Sequence, residues 1–244
     1  PCHLLPPAAE LCGEVRVVEV AYPPSVWQEV SPLALVLDEE RCGALLPRRP
    51  RFGHKGTFGR VLVVAGAVGM AGAAALCAEG ALRGGAGLVH VLTPEPVFPV
   101  VASLIPEALV HPAPADPSGT FAPEAAEIAL RLAQDMDAVV IGPGLGRTPG
   151  PAELVRAFFA EKFPKLVLDA DALFALAQDT KLLQRNHGEL ILTPHPGEFS
   201  RLAGVPAEEI VPEKIRWAKE KAGEWRAVVV LKGPPTVIAS PDGS

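Results

Sequence analysis

The sequence is poor in residues that carry chemistry of their own. Its 244 residues include four cysteines, one tyrosine, two methionines and a single asparagine, Asn186. Cys2, Cys12, Cys42 and Cys77 show no C-x-x-C spacing, and three of them stand in the first fifty residues. A zinc site or disulfide framework is therefore not expected; reduced thiols in a cytoplasmic protein are. No apolar run reaches the roughly 18 residues that cross a bilayer. The start lacks a basic stretch followed by an apolar one, so neither a membrane span nor a leader is expected. There is no basic run either: 22 Lys plus Arg stand against 28 Asp plus Glu, a net charge of −6. That argues against a nucleic-acid partner but not against small anions, which local backbone dipoles hold whatever the net charge. Also missing are the dinucleotide string G-x-G-x-x-G, the phosphate-loop string G-x-x-x-x-G-K-[ST] and the nucleophile elbow G-x-S-x-G.

What the sequence has is apolar mass and punctuation. Apolar residues make up 49% and charged residues 20%, with 27 prolines and 23 glycines. This composition excludes disorder, collagen and coiled coil, and it suffices for a sizeable core. The first fifty residues hold many prolines, one strand-like run, Glu14–Val20, and a basic linker around Leu46–Arg51. From Gly59 onward strands alternate with helices. Strands are expected at Arg60–Ala65, Gly87–Leu92, Ala138–Ile141, Leu166–Leu168, Leu190–Leu192, Ala227–Leu231 and Thr236–Ala239. Helices are expected at Ala71–Arg83, Pro123–Gln134, Ala152–Glu161, Asp171–Gln178, Pro196–Ala203 and Glu208–Glu220. Near-continuous apolar strands between amphipathic helices predict an α/β fold, a mostly parallel sheet with helices on both faces. Ligands of such sheets bind at the carboxyl ends of the strands.

Unusual residues gather at those ends. The first strand runs into Gly66-Ala67-Val68-Gly69-Met70-Ala71-Gly72-Ala73, which suits either tight helix–strand packing or an anion at a helix start. Gly142-Pro143-Gly144-Leu145-Gly146 is a turn or a ligand loop. In Leu168-Asp169-Ala170-Asp171 one acid suffices to cap a helix; two together also suit Mg²⁺ or a substrate hydroxyl. Thr193-Pro194-His195-Pro196-Gly197-Glu198 presents an imidazole and a carboxylate on a stiff backbone, which packing explains poorly. Lys232-Gly233-Pro234-Pro235-Thr236 delivers a compact cation suited to phosphate, or a solvated surface lysine. His54-Lys55-Gly56 reads as a solvated loop or an arm over a pocket, and His3, His90, His111 and His187 read as structural.

Taken in order, these strings resemble the ADP/ATP-dependent NAD(P)H-hydrate dehydratases, a branch of the ribokinase-like superfamily. The matching strings are His54-Lys55-Gly56-x-x-Gly59, Ala65-Gly66-x-x-Gly69-Met70-x-Gly72-Ala73, Gly142-Pro143-Gly144-Leu145, Leu168-Asp169-Ala170-Asp171, Thr193–Glu198 and Lys232-Gly233-x-x-Thr236. The resemblance implies a ribokinase-like fold over residues 46–244. Residues 1–45 would hold the tail of an epimerase-like domain, carried by Leu11–Pro24, plus a linker. It implies an enzyme that phosphorylates the ring hydroxyl of hydrated NADH or NADPH with ADP or ATP and Mg²⁺, then eliminates phosphate. It also implies a homo-oligomer.

Carried over by position, Ala73, Gly144 and His195 would contact the hydrated nicotinamide nucleotide. Lys232, Gly233, Pro234, Pro235 and Thr236 would hold the adenine nucleotide, and Glu198, Asp169 and Asp171 would organise the metal or phosphate. Two departures accompany the match. Phe174 stands where the family often has Asn. The family's Gly-Thr-Gly-Asp string, which supplies an anion hole and the catalytic base, occurs nowhere in the sequence. The base and the C-terminal portion of the fold are therefore expected beyond Ser244. Two other readings stand beside this one: a ribokinase-like kinase for a small alcohol or vitamin precursor, and a nucleotide-binding remnant without catalysis.

Overall fold

A computed structural model of the chain describes every residue except Pro1, Pro6, Pro7, Glu19, Pro24, Trp27, Gln28, Lys162, Pro164, Asn186 and His187. The chain divides into two units, Pro1–Arg51 and Phe52–Gly243. In the first unit Ala8–Leu11 and Glu39–Leu45 are helical, the latter capped by Asp38, whose Oδ1 accepts from Arg41 N at 2.9 Å. The strand expected at Glu14–Val20 does not form among its described residues, and Glu19 lies outside them. Val17 and Val18 are 97% and 73% exposed. A β-prone run without a neighbouring strand leaves its main-chain donors and acceptors to water, and side-chain preference alone does not hold it extended. His187, read as structural, also lies outside the described residues.

In Phe52–Gly243 the apolar runs become eight strands. These are β1 (Arg60–Val64), β2 (Leu88–Pro94), β3 (Leu109–Ala113), β4 (Ala138–Ile141), β5 (Lys165–Leu168), β6 (Glu189–Leu192), β7 (Val228–Leu231) and β8 (Val237–Ala239). They form one sheet in the order β3-β2-β1-β4-β5-β6-β7-β8. Every pair from β3 to β7 is parallel, and β8 turns back antiparallel on β7. The helices are α1 (Ala71–Arg83), α2 (Phe98–Leu104), α3 (Ala125–Ala133), α4 (Pro149–Ala160), α5 (Asp171–Ala177), α6 (Pro196–Ala203), α7 (Ala207–Ile210) and α8 (Lys214–Trp225).

Strand alternation sorts the core into two layers. Leu62, Val64, Val139, Ile141, Leu166, Leu168, Leu190, Leu192, Val229 and Leu231 face one way and pack on α3, α4, α5, α6 and α8. Val63, Ala65, Val89 and Val91 face the other way and pack on α1 and α2. Alanines at the contacts, such as Ala74, Ala78, Ala125 and Ala129, are fully buried and bring helix and sheet backbones close. On this second face Val167, Ile191 and Val230 are only half-buried.

Three elements differ from expectation, the first being α2 (Phe98–Leu104), where no helix was expected. β3 carries Pro112, which discourages a strand reading, yet β3 is the sheet edge, where a missing N–H costs no ladder bond. The single helix expected over Glu208–Glu220 is two, α7 and α8, because Pro212 stands between them and cannot continue a helical ladder.

Candidate active site

The strand order places the carboxyl ends of β1, β4, β5, β6 and β7 side by side. The chain leaves β1 toward β2 and β3, then returns to start β4 on the other flank of β1. The β1/β4 junction is thus the switch point at which open α/β sheets leave a crevice. The loops there hydrogen-bond to one another as if the sheet continued. Gly66 N donates to Pro143 O at 2.9 Å, Gly142 N to Val64 O at 3.2 Å and Asp169 N to Ile141 O at 3.1 Å. Thr193 N donates to Leu168 O at 3.1 Å and Lys232 N to Pro194 O at 2.8 Å. All five strand-end motifs thus stand on one continuous rim.

At the switch point the structure brings Ala73 and Gly144 together. Gly144 has φ +66°, and a Cβ there would stand 2.9 Å from Met70 Cβ and 3.0 Å from Ala73 Cβ. Its neighbour Gly142 has φ +137°, and a Cβ there would fall 1.8 Å from Asp169 O. Both glycines therefore serve close backbone approach. Beside Gly66 lies the fully buried Thr93 hydroxyl, which has no hydrogen-bond partner among the described residues. A loop that the sequence reading missed buttresses this end. Asp116 accepts from Ser118 N at 2.9 Å, Ser118 Oγ at 2.6 Å, Thr120 N at 3.1 Å and Thr120 Oγ1 at 2.9 Å. The Ser118 hydroxyl leads in holding this carboxyl down to about 2. Gly119 O in turn accepts from Val68 N at 3.0 Å, and Thr120 Oγ1 meets Thr148 Oγ1.

His195 follows β6, two strands along the rim from β4. Its Nδ1 caps α6, accepting from Gly197 N at 3.0 Å and Glu198 N at 3.4 Å. The proton of a neutral ring must then sit on Nε2, which faces Glu198 Oε1 at 3.2 Å. Glu198 completes the capping box through Oε2, which accepts from His195 N at 2.9 Å. His54 caps the short 3-10 turn Lys55–Phe58 in the same way, with Nδ1 accepting from Gly56 N at 3.2 Å. His90 and His111 pair with each other across β2 and β3, Nδ1 to Nε2 at 3.0 Å with rings stacked.

The two acids after β5 part company. Between them Ala170 holds φ 48°, a conformation costing about 1–3 kcal/mol for a residue with a side chain. Asp169 Oδ1 accepts from Lys232 Nζ at 2.7 Å, tying the end of β5 to the end of β7. Its Oδ2 accepts no hydrogen bond among the described residues. Asp171 is fully engaged: Oδ2 accepts from Gly146 N at 3.0 Å and Oδ1 from Arg147 Nε at 3.1 Å. The Arg147 guanidinium also lies 4.5 Å over the Phe174 ring, so the position where the family often has Asn carries a cation–π contact here. Among the described residues no three His, Cys, Asp or Glu side chains converge as a metal-binding group.

The turn between β7 and β8 holds Lys232, Gly233, the cis pair Pro234-Pro235, and Thr236, whose Oγ1 donates to Gly233 O at 3.2 Å. Behind it lies a second residue missed from sequence. Lys214 reaches from the first turn of α8 and donates from Nζ to Lys232 O at 3.2 Å and to Pro235 O. Burial lowers the pKa of this ammonium. Cys77 on α1 is half-buried, and desolvation together with the Asp169 charge pushes its thiol up to about 11, leaving it unreactive at neutral pH.

Comparison with known proteins gives this rim its kinship. A family profile described as NAD(P)H-hydrate dehydratase matches residues 61–244. The chain belongs to the NAD(P)H-hydrate dehydratase family. It is 38% identical over 207 residues to the ADP-dependent (S)-NAD(P)H-hydrate dehydratase of Bacillus subtilis, covering 84% of this chain and 69% of that protein. It is 40% identical over 237 residues to the bifunctional NAD(P)H-hydrate repair enzyme of Moorella thermoacetica, covering 97% of this chain and 45% of that protein. The chain thus spans about half the length of the bifunctional relatives it matches. A crystal structure of the Bacillus subtilis ADP/ATP-dependent dehydratase, co-crystallised with ATP/Mg²⁺, superposes with a TM-score of 0.67 at 37% identity. It covers 84% of this chain and 69% of that one. A ribokinase-like protein from Enterococcus faecalis superposes with a TM-score of 0.70 at 23% identity, which shows the shared fold. No helix among the described residues of this family member is long and apolar enough to cross a membrane.

Proposed function

We propose that the rim binds hydrated NADH or NADPH and an adenine nucleotide side by side and restores the reduced nicotinamide. The observation that carries this reading is the continuous run of loops from β1 to β7. It sets the Ala73–Gly144 contact and His195 in one row with the Lys232–Thr236 turn. In the reaction the ring hydroxyl attacks the terminal phosphorus of ADP or ATP, and the nucleotide leaves shorter by one phosphoryl group. The ring C–O bond then breaks, phosphate departs, and loss of a proton from the adjacent carbon returns the double bond. Phosphorylation turns a poor leaving group into a good one, and the transfer asks mainly for positioning and neutralised charge.

Each group has a part. Ala73, with only a methyl group, and Gly144 give a surface of low relief for the nicotinamide nucleotide, and His195 presents its imidazole ring, held in place by Glu198. Lys232, Gly233, Pro234, Pro235 and Thr236 hold the adenine nucleotide. Mg²⁺ on the phosphates would supply charge neutralisation, and the residues fit it through Asp169, whose Oδ2 is open. Asp171 and Glu198 have both oxygens engaged and organise their loops. The base that takes the hydroxyl proton is not assigned to any of these residues.

The same reading covers the rest of the chain. Residues 1–45 are proposed as the tail of an epimerase-like domain. The bifunctional relative aligns over 237 residues whereas the dehydratase alone aligns over 207. The protein is proposed to be cytoplasmic, and a homo-oligomer is supported by exposed Leu76 on α1 and Val100 and Leu104 on α2, 71%, 48% and 52% accessible.

The test mixes purified protein with hydrated NADH, Mg²⁺ and ADP or ATP and follows the near-ultraviolet absorbance of reduced nicotinamide. Recovery of that absorbance, dependent on nucleotide, is the expected result. Nucleotide binding with no recovery moves the assignment to a kinase for another alcohol or to a non-catalytic binder.

A further inference from the structure

Lys214 is the only charged side chain buried among the described residues, with 6% of its surface accessible. Three features of its position disfavour a cation. Burial strips its water, and no carboxylate pairs with it among the described residues. It is the first residue of α8, the end of a helix that carries partial positive charge. The structure offers it two main-chain carbonyls, Lys232 O and Pro235 O, at either side of the turn between β7 and β8. The turn is moulded to it: a Cβ on Gly233 would stand 2.9 Å from Nζ. The neighbouring cation differs, because Lys232 already has Asp169 at 2.7 Å. The uncompensated charge of this turn therefore belongs to Lys214. A methionine would fill the same volume but leave both carbonyls without this donor; the carbonyls take up the ammonium's hydrogen bonds yet carry no formal charge, so its charge is left for a bound anion to balance.

We propose that Lys214 is a positioning residue of the nucleotide turn, fixing its backbone through Lys232 O and Pro235 O and making the turn select adenine nucleotides that carry phosphate. This deepens the reading of Lys232–Thr236 as the nucleotide site and rests on it. The two contributions separate by ligand. Loss of backbone positioning weakens every adenine ligand alike, whereas loss of the charge weakens only those with phosphate.

The experiment titrates the purified protein calorimetrically with ADP and, separately, with adenosine. It uses the natural chain and the variants Lys214→Met, Lys214→Gln and Lys214→Arg, each checked for native circular dichroism. Lys214→Met is expected to weaken ADP by about tenfold or more and adenosine by roughly threefold at most, with Lys214→Arg recovering most of the difference. Should the methionine variant not fold, Lys214→Gln carries the same expectation, since it keeps a donor but no charge. The proposal is overturned if the neutral variants bind ADP as the natural chain does, or lose ADP and adenosine equally. If the natural chain binds no ADP, the nucleotide reading of the turn falls as well. If it binds ADP and only the variants behave unexpectedly, that reading stands and this inference alone fails.

Discussion

A single side chain on this rim often holds two jobs at different atoms. His195 is the clearest case, because Nδ1 caps α6 and Nε2 faces outward beside Glu198. The jobs can be parted by substitution. Asparagine is a good N-cap but has no counterpart of the Nε2 donor, so His195→Asn should keep the stability of the natural chain. His195→Ala should lose about 1 kcal/mol in urea unfolding. Both should bind the nicotinamide nucleotide less well. Equal stability losses in the two variants would show that the cap is not what holds the ring. The capping role was not legible in the sequence, where a histidine between two prolines signalled only rigidity. The Pro-His-Pro-Gly-Glu string showed that something was fixed there, and only the folded structure shows which nitrogen does the fixing.

At the scale of elements, β1, β2, β4, β5, β6 and β7 were legible as apolar runs ending at glycine, proline, an acid or a lysine, and that is also where the candidate site lies. What stayed hidden depended on neighbours distant in sequence. β3 contains Pro112 and forms because β2 is already there to accept an edge strand. Glu14–Val20 has the composition of a strand and lacks the partner. Lys214 carries no local signal, since its acceptors are main-chain carbonyls 18 and 21 residues away. The pairing of β2 with β3 also brings together His90 and His111. Burial leads in lowering both pKa values, with His111 and then Arg60 adding to the effect on His90. The folded chain therefore binds fewer protons than the unfolded one below the ordinary imidazole value of 6.5. Stability should be complete above that pH and fall as the pH drops beneath it. A His90→Gln, His111→Gln double variant should show a flatter decline in thermal midpoint between about pH 6.5 and 5. An unchanged slope would place the acid sensitivity elsewhere.

For the molecule as a whole, the chain's two units and its family membership divide the labour. Phe52–Gly243 carries the sheet, both core layers and all the rim residues, and residues 61–244 carry the family match. The rim bonds among Gly66, Gly142, Asp169, Thr193 and Lys232 have a consequence in time as well as in shape. A loop amide normally trades its hydrogen with solvent through small local openings, but these five are tied across strands like the sheet interior. They should therefore exchange at rates close to those of Leu62 or Ile141, and orders of magnitude more slowly than those of the exposed turn at Pro241–Gly243. Amide exchange followed by mass spectrometry reads this directly, and fast exchange at the rim would count against it. Slow exchange in the ligand-free protein would mean that the rim is already ordered, so that substrate spends little of its binding energy on freezing loops.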